Sequence, residues 1–199
     1  VFLVEHRPEG SLGFVINRPA GVGFKNLVRR LGLDDGQAPF DGPVLMGGPV
    51  APQTGWIVFD PGAEGPDEDI SVSVTERVRL SASRDLLEAI AQGRGPARHM
   101  LLLGYAGWGP GQLDDEMRAG IWIPADFDDR ILFDTPHDQR WNEALSALGI
   151  NPLMIVALGV AYLLHVRSAL PALPQPRSKA LPLHAAMMGL LMLHLLIGK

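Results

Sequence analysis

The chain has 199 residues and no cysteine, which excludes disulfides, a thiol nucleophile and thiolate metal ligands together. A hydrophobic fraction of 47% and a charged fraction of 20% are those of a folded globular chain. Residues 1 to 161 hold all 22 acidic residues against 13 Lys and Arg, a net −9, so this part repels phosphate backbones and general nucleic-acid affinity is not expected.

In chain order, residues 1–4 and 12–17 read as strands joined by the turn formers of EHRPEGS, a hairpin. Phe24, Leu27, Val28 and Leu31 fall at helical spacing before Gly32, so a short helix is expected over 24–31. Residues 43–50 and 55–60 have strand composition around the Gly47-Gly48-Pro49 turn, and 60–69 is a solvated loop. The alternation of ISVSVTERVRL predicts one half-buried strand over 70–80. Ser83 caps a helix from 84 to 92, with Asp85 in its first turn and Gly93 at its end.

Residues 99–105 form a buried-strand pattern, followed by a glycine-dense loop, a short helix over 111–119 stopped by Gly120, and strands over 121–124 and 130–134. Thr135, Pro136 and Asp138 then open a helix over 138–148, closed by Gly149. Such irregular alternation favours an α+β fold with a mixed sheet and packed helices over a doubly wound parallel sheet.

The segment LLLGYAGWGPGQLDDE, residues 101–116, is the most informative. Glycines 104, 107, 109 and 111 thread between Tyr105, Trp108 and Gln112, and that density marks backbone geometry closed to other residues. Catalytic patterns are scarce. The six histidines show no metal-ligand spacing, and neither G-x-S-x-G nor a P-loop occurs. Ser11 and His6 could pair as nucleophile and base, but the strained turn of a serine hydrolase is missing. An anion site at the helix after the glycines is opposed by Asp114, Asp115 and Glu116 in its first turn.

Each remaining candidate has a plain structural reading beside a functional one. Tyr105 and Trp108 are core-closing aromatics or a stacking platform. Asn17-Arg18 is a solvated strand end or a reader of acidic groups. Trp141 anchors its helix to the sheet, and Glu5-His6 is an exposed turn or an acid-base pair.

The segments SLGFVINRP, VLMGGPV, SASRDLLEAI, LLLGYAGWGPGQLDDE and RILFDTPHDQRWNEALSALGI, in this order, resemble the AlgH family of bacterial proteins, also called YqgE/AlgH. The resemblance implies a compact α/β domain whose large mixed sheet curls into a partial barrel. It also implies a cytoplasmic protein of a mostly uncharacterised family, one branch of which is labelled a transcriptional regulator. The matching part is residues 1–151, truncated at its start relative to the family pattern. Residues 152–199 depart from that pattern as an apolar, helical tail. A membrane-associated hairpin, a helix docked on the domain or a partner, and a mispredicted gene end are its three readings, and membrane contact is expected only there.

A non-catalytic role follows as the leading expectation: binding an unknown protein or small molecule through a surface of Asn17, Arg18, Gly47, Gly48, Tyr105, Trp108 and Gln112, with no cofactor and no metal. An enzyme of unrecognised type with a pocket at the same loops is one alternative, and a regulator touching DNA directly is another.

Overall fold

The computed structural model describes residues 1–33, 41–62, 71–151, 153–154, 157, 160–161 and 194–198. Strands β1 (Phe2–Arg7) and β2 (Gly10–Phe14) form the expected hairpin, with His6 opposite Ser11. The second strand is shorter than the sequence suggests, because the chain turns after Phe14 and forms β3 (Pro19–Gly23) before α1 (Phe24–Arg30). Next come β4 (Pro43–Met46) and β5 (Val50–Phe59), the hairpin β6 (Val72–Thr75) and β7 (Val78–Ser81), and α2 (Arg84–Ala91). The single strand expected over 70–80 is therefore two, folded back at Glu76-Arg77.

Strand β8 (His99–Trp108) is followed by α3 (Gln112–Arg118), β9 (Trp122–Asp126), α4 (Asp129–Phe133), α5 (Arg140–Ala147) and β10 (His194–Gly198). Residues 130–134, expected as a strand, lie instead at a helix: the Asp128 carboxylate accepts the Arg130 amide at 2.8 Å and starts α4. Arg98 holds this helix to the sheet, reaching Asp129 at 3.1 Å, Asp134 at 2.7 Å and Asp60 at 3.0 Å, and lying 5.1 Å from the centre of the Phe133 ring. A run of five residues is too short for periodicity to separate helix from strand.

The ten strands make one sheet in the order β6-β7-β5-β8-β2-β1-β10-β9, with β4 pairing β8 and β3. The sheet curls until it is nearly closed, and with α1 to α5 it forms one mixed α+β domain. Successive residues of a strand face opposite sides, and the core divides accordingly. On one side Trp56, Val58, Met100 and Leu102 pack under α4 and α5 through Ile131, Leu132, Ala144 and Leu145. On the other, Ile57, Phe59 and Leu101 pack under α1 and α2 through Phe24, Val28, Leu86 and Ile90. Trp141 packs against the first of these cores, as an anchor of its helix would.

The tail is only partly described. Residues 153, 154, 157, 160 and 161 are helical, whereas residues 194–198 form a strand lying between β1 and β9 and parallel to both, not the helix their apolar run suggests. The rest of both apolar stretches and the linker between them lies outside the described residues. Among the described residues no helix is long and apolar enough to cross a membrane.

His99, at the start of β8, is mostly buried, and its Nδ1 lies 2.8 Å from the Pro96 carbonyl oxygen. Burial holds its pKa below the ordinary 6.5, the carbonyl contact opposing this only in part. The unfolded chain therefore binds the proton more readily than the folded one. Stability from a neutral His99 is fully present above the unfolded pKa and is lost as pH falls from there through the folded value. Thermal melts between about pH 7.5 and pH 5 should show this loss, and His99→Phe should flatten it.

Candidate functional site

The centre of the glycine-rich region is a fork in β8. Residues 99–103 of this strand lie between β5 and β4, as in the pairs Leu101 with Ile57 and Leu102 with Leu45, while Ala106, Gly107 and Trp108 pair with Gly13, Leu12 and Ser11 of β2. Gly104 sits where the partners change, in the left-handed region at φ 67°. The Gly47-Gly48 turn presses on this point. The Gly47 amide donates to the Leu103 carbonyl at 2.8 Å, and a Cβ on Gly48 would stand 2.1 Å from the Tyr105 carbonyl carbon. These glycines let one stretch of the chain's own backbone cross another.

The region read as a loop after 105 is thus a strand as far as Trp108. Its period of two separates the two aromatics. Trp108 is 8% exposed and faces α3, packing against Leu113 and edge-on against Trp122 at 5.7 Å. Its indole N–H donates to Glu116 at 2.9 Å, the Trp122 N–H donates to the same carboxylate oxygen at 2.7 Å, and the Gln112 amide donates to the other oxygen at 2.9 Å. The Gln112 carbonyl oxygen accepts the Gly109 amide at 3.0 Å, closing the turn before α3. Trp108 and Gln112 are packing and turn-closing residues.

Tyr105 faces the opposite side. Its ring lies beside Gly107 and is edge-on to Trp56 at 6.2 Å. Here the surface opens into a depression of about 580 Å³, with Leu12, Val50, Tyr105 and Gly107 in its wall and Glu5 and Arg7 contributing charge. Glu5 and Arg7 form an ion pair with each other. Val50 is 38% exposed, and the residue after it, Ala51, has φ 46°, the one non-glycine among the described residues in the left-handed region. Such strain persists only where surrounding structure enforces it. Here the Gly48 crossing on one side and the β5 ladder on the other fix both ends of that step.

Of the residues singled out in the sequence, Asn17, Arg18, Gly47 and Gly48 are neighbours. The Arg18 carbonyl accepts the Met46 amide at 2.7 Å, and the Gly47 carbonyl accepts the Val15 amide at 2.7 Å. Asn17 and Arg18 are exposed, Gly47 and Gly48 buried, and Tyr105 lies against the same crossing. The Trp108 ring packs toward α3, although Trp108 is also among the residues lining the depression, and Gln112, at the start of α3, is not. Sequence reasoning missed Leu12, Val50 and Arg7, although the alternation Tyr105-Ala106-Gly107-Trp108 carried the signal that the two aromatics diverge.

On the α3 side, His6 Nδ1 lies 2.7 Å from Ser11 Oγ and His6 Nε2 lies 3.3 Å from Asp114 Oδ1. Glu5 takes no part in this contact. Among the described residues no three His, Asp or Glu side chains converge to hold a metal ion.

This geometry has relatives. A family model described as AlgH-like matches residues 1–153. The chain is 40% identical over 159 residues to a UPF0301 protein of Anaeromyxobacter dehalogenans (strain 2CP-C), covering 76% of this chain and 79% of that one. It is 40% identical over 156 residues to a UPF0301 protein of Paracoccus denitrificans (strain Pd 1222), covering 78% and 82%. Among solved structures, the solution structure of the AlgH protein from Pseudomonas aeruginosa superposes with a TM-score of 0.63 at 33% identity, over 78% of this chain and 81% of that one. The mixed α+β fold is thus shared with that structure, and the chain belongs to the AlgH-like family.

Proposed function

We propose that this protein acts by binding, through the depression walled by Leu12, Val50, Tyr105 and Gly107. The observation that carries the reading is Val50: an apolar side chain left 38% exposed beside a strained backbone step, over an aromatic ring and a bare glycine. A pocket with an apolar, aromatic wall and a few placed charges suits a small molecule or an anchoring side chain of a partner protein. Glu5, Arg7 and Glu9 give its rim both signs of charge, which suits a polar partner better than a polyanion. A regulatory role in the cytoplasm, exerted through a protein or small molecule and not through DNA, belongs to the same proposal. The net −9 of residues 1–161 argues in the same direction.

The test is comparative capture from a lysate of the source cells with wild type, Val50→Asp and Tyr105→Ala. Species lost with both variants but retained by Arg18→Ala are expected. Species lost only with Arg18→Ala would move the binding surface to the Asn17-Arg18 corner.

A further inference from the structure

Beyond binding, we propose that Ser11, His6 and Asp114 form a nucleophile relay that accepts an acyl group from small activated esters. His6 and Ser11 are directly opposite one another across the β1-β2 hairpin, and Ser11 is opposite Trp108 of β8, so the three side chains share a face. Asp114 approaches that face from the first turn of α3. The relay therefore joins two strands and a helix that only the folded chain brings together.

One tautomer of His6 sets the direction of the proton. With the hydrogen on Nε2, that nitrogen faces the Asp114 carboxylate at 3.3 Å, which accepts. The neutral ring then presents the lone pair of Nδ1 to Ser11, whose hydroxyl donates across 2.7 Å. A histidine then accepts the proton of an attacking serine while a carboxylate orients the ring, with the two ring nitrogens exchanged relative to the usual serine triad.

Ser11 is buried at 8% exposed, with its hydroxyl on the Trp108 side beside His6, and the His6 side chain is 45% exposed, so the relay reaches solvent past His6. In the step proposed, Ser11 Oγ bonds to the ester carbonyl carbon as its proton passes to His6 Nδ1. The ester C–O bond then breaks, and the leaving alkoxide takes that proton. Water, giving a proton to His6 in turn, releases the acyl group as a carboxylic acid and restores Ser11.

The substrate class follows from what surrounds the serine. Ser11 lies within a strand, not on the strand-to-helix turn that presents paired amide donors to an oxyanion. Good leaving groups need least help from such donors, so activated esters are selected over amides. Asp114 is a positioning residue, and its half-exposed carboxylate is screened by solvent. His6 contributes as general base, an effect of about 10²- to 10⁴-fold.

The experiment treats the full chain with a fluorophosphonate, whose P–F bond is replaced by Ser11 Oγ–P with loss of fluoride, and locates the adduct by peptide mass mapping. Labelling is expected on Ser11. His6→Gln should slow it at least about 100-fold and Asp114→Asn about tenfold while each retains the wild-type circular dichroism. Absence of the Ser11 adduct from wild type, or a rate unchanged in folded His6→Gln, would overturn the proposal. Peptide mapping of wild type decides the site even if Ser11→Ala does not fold. The adduct requires no captured partner, so failure here is distinct from failure of the binding reading.

Discussion

Gly48→Ala is expected to lower stability by about 4 kcal/mol or more, enough to leave much of the protein insoluble or to drop Tm by about 10 °C or more. The new Cβ would lie 2.1 Å and 2.2 Å from the Tyr105 carbonyl carbon and oxygen and 2.4 Å from the Ala106 nitrogen. All three are main-chain atoms, so no side chain can rotate aside. Nor can β8 withdraw, because Tyr105 is paired with Val50 and Ala106 with Gly13 on different neighbours. Against a total stability of about 5–15 kcal/mol this is a large fraction. Gly55→Ala is the control: a Cβ there meets nothing within 4 Å, and reduced freedom of the unfolded chain makes it neutral or stabilising by up to about 1 kcal/mol. Equal melting temperatures for the two variants would contradict the crossing argument.

Arg140→Ala is expected to cost about 3–5 kcal/mol, measured by urea unfolding. Arg140 is 8% exposed, and its guanidinium donates to the Thr135 carbonyl at 3.1 Å and to the Ile16 carbonyl and lies 3.6 Å from the Met100 sulfur. It ties the start of α5 to the chain leaving β2. Burial pushes its pKa down to about 10, which corresponds to a cost of about 3 kcal/mol for keeping the charge inside. The cation therefore gives back much of what its hydrogen bonds contribute. Arg140→Met, which keeps the buried stem but not the charge, should lose clearly less than Arg140→Ala, by about 2 kcal/mol or more. Equal losses in the two would mean that packing of the stem is unimportant.

Local signals in the sequence specify local structure well. The helix after Ser83 was legible because its cap, first-turn acid and closing glycine all lie within one short segment, and Ser83 Oγ does accept the amides of Asp85 and Leu86. The strand at 99–105 was legible for its apolar run, but its continuation to Trp108 was not. Glycine density normally marks a loop; here it keeps a strand passable where another segment crosses it. The same long-range pairing hid the depression, since Leu12, Val50 and Tyr105 meet only because β8 bonds β2 at one end and β5 at the other. Asp114 read correctly as a first-turn acid of its helix, yet nothing in its neighbourhood could show that the hairpin would bring His6 to it.

Site-specific photo-crosslinking tests the binding face most directly. A photoreactive residue at position 50 or at position 72, in the full chain inside the source cells, compares two exposed valines, of which Val72 is the more open at 68% against 38%. A discrete adduct is expected from position 50, lost when Tyr105→Ala is added, with no comparable adduct from position 72. Adducts that follow exposure, stronger at 72 and indifferent to Tyr105, would contradict this.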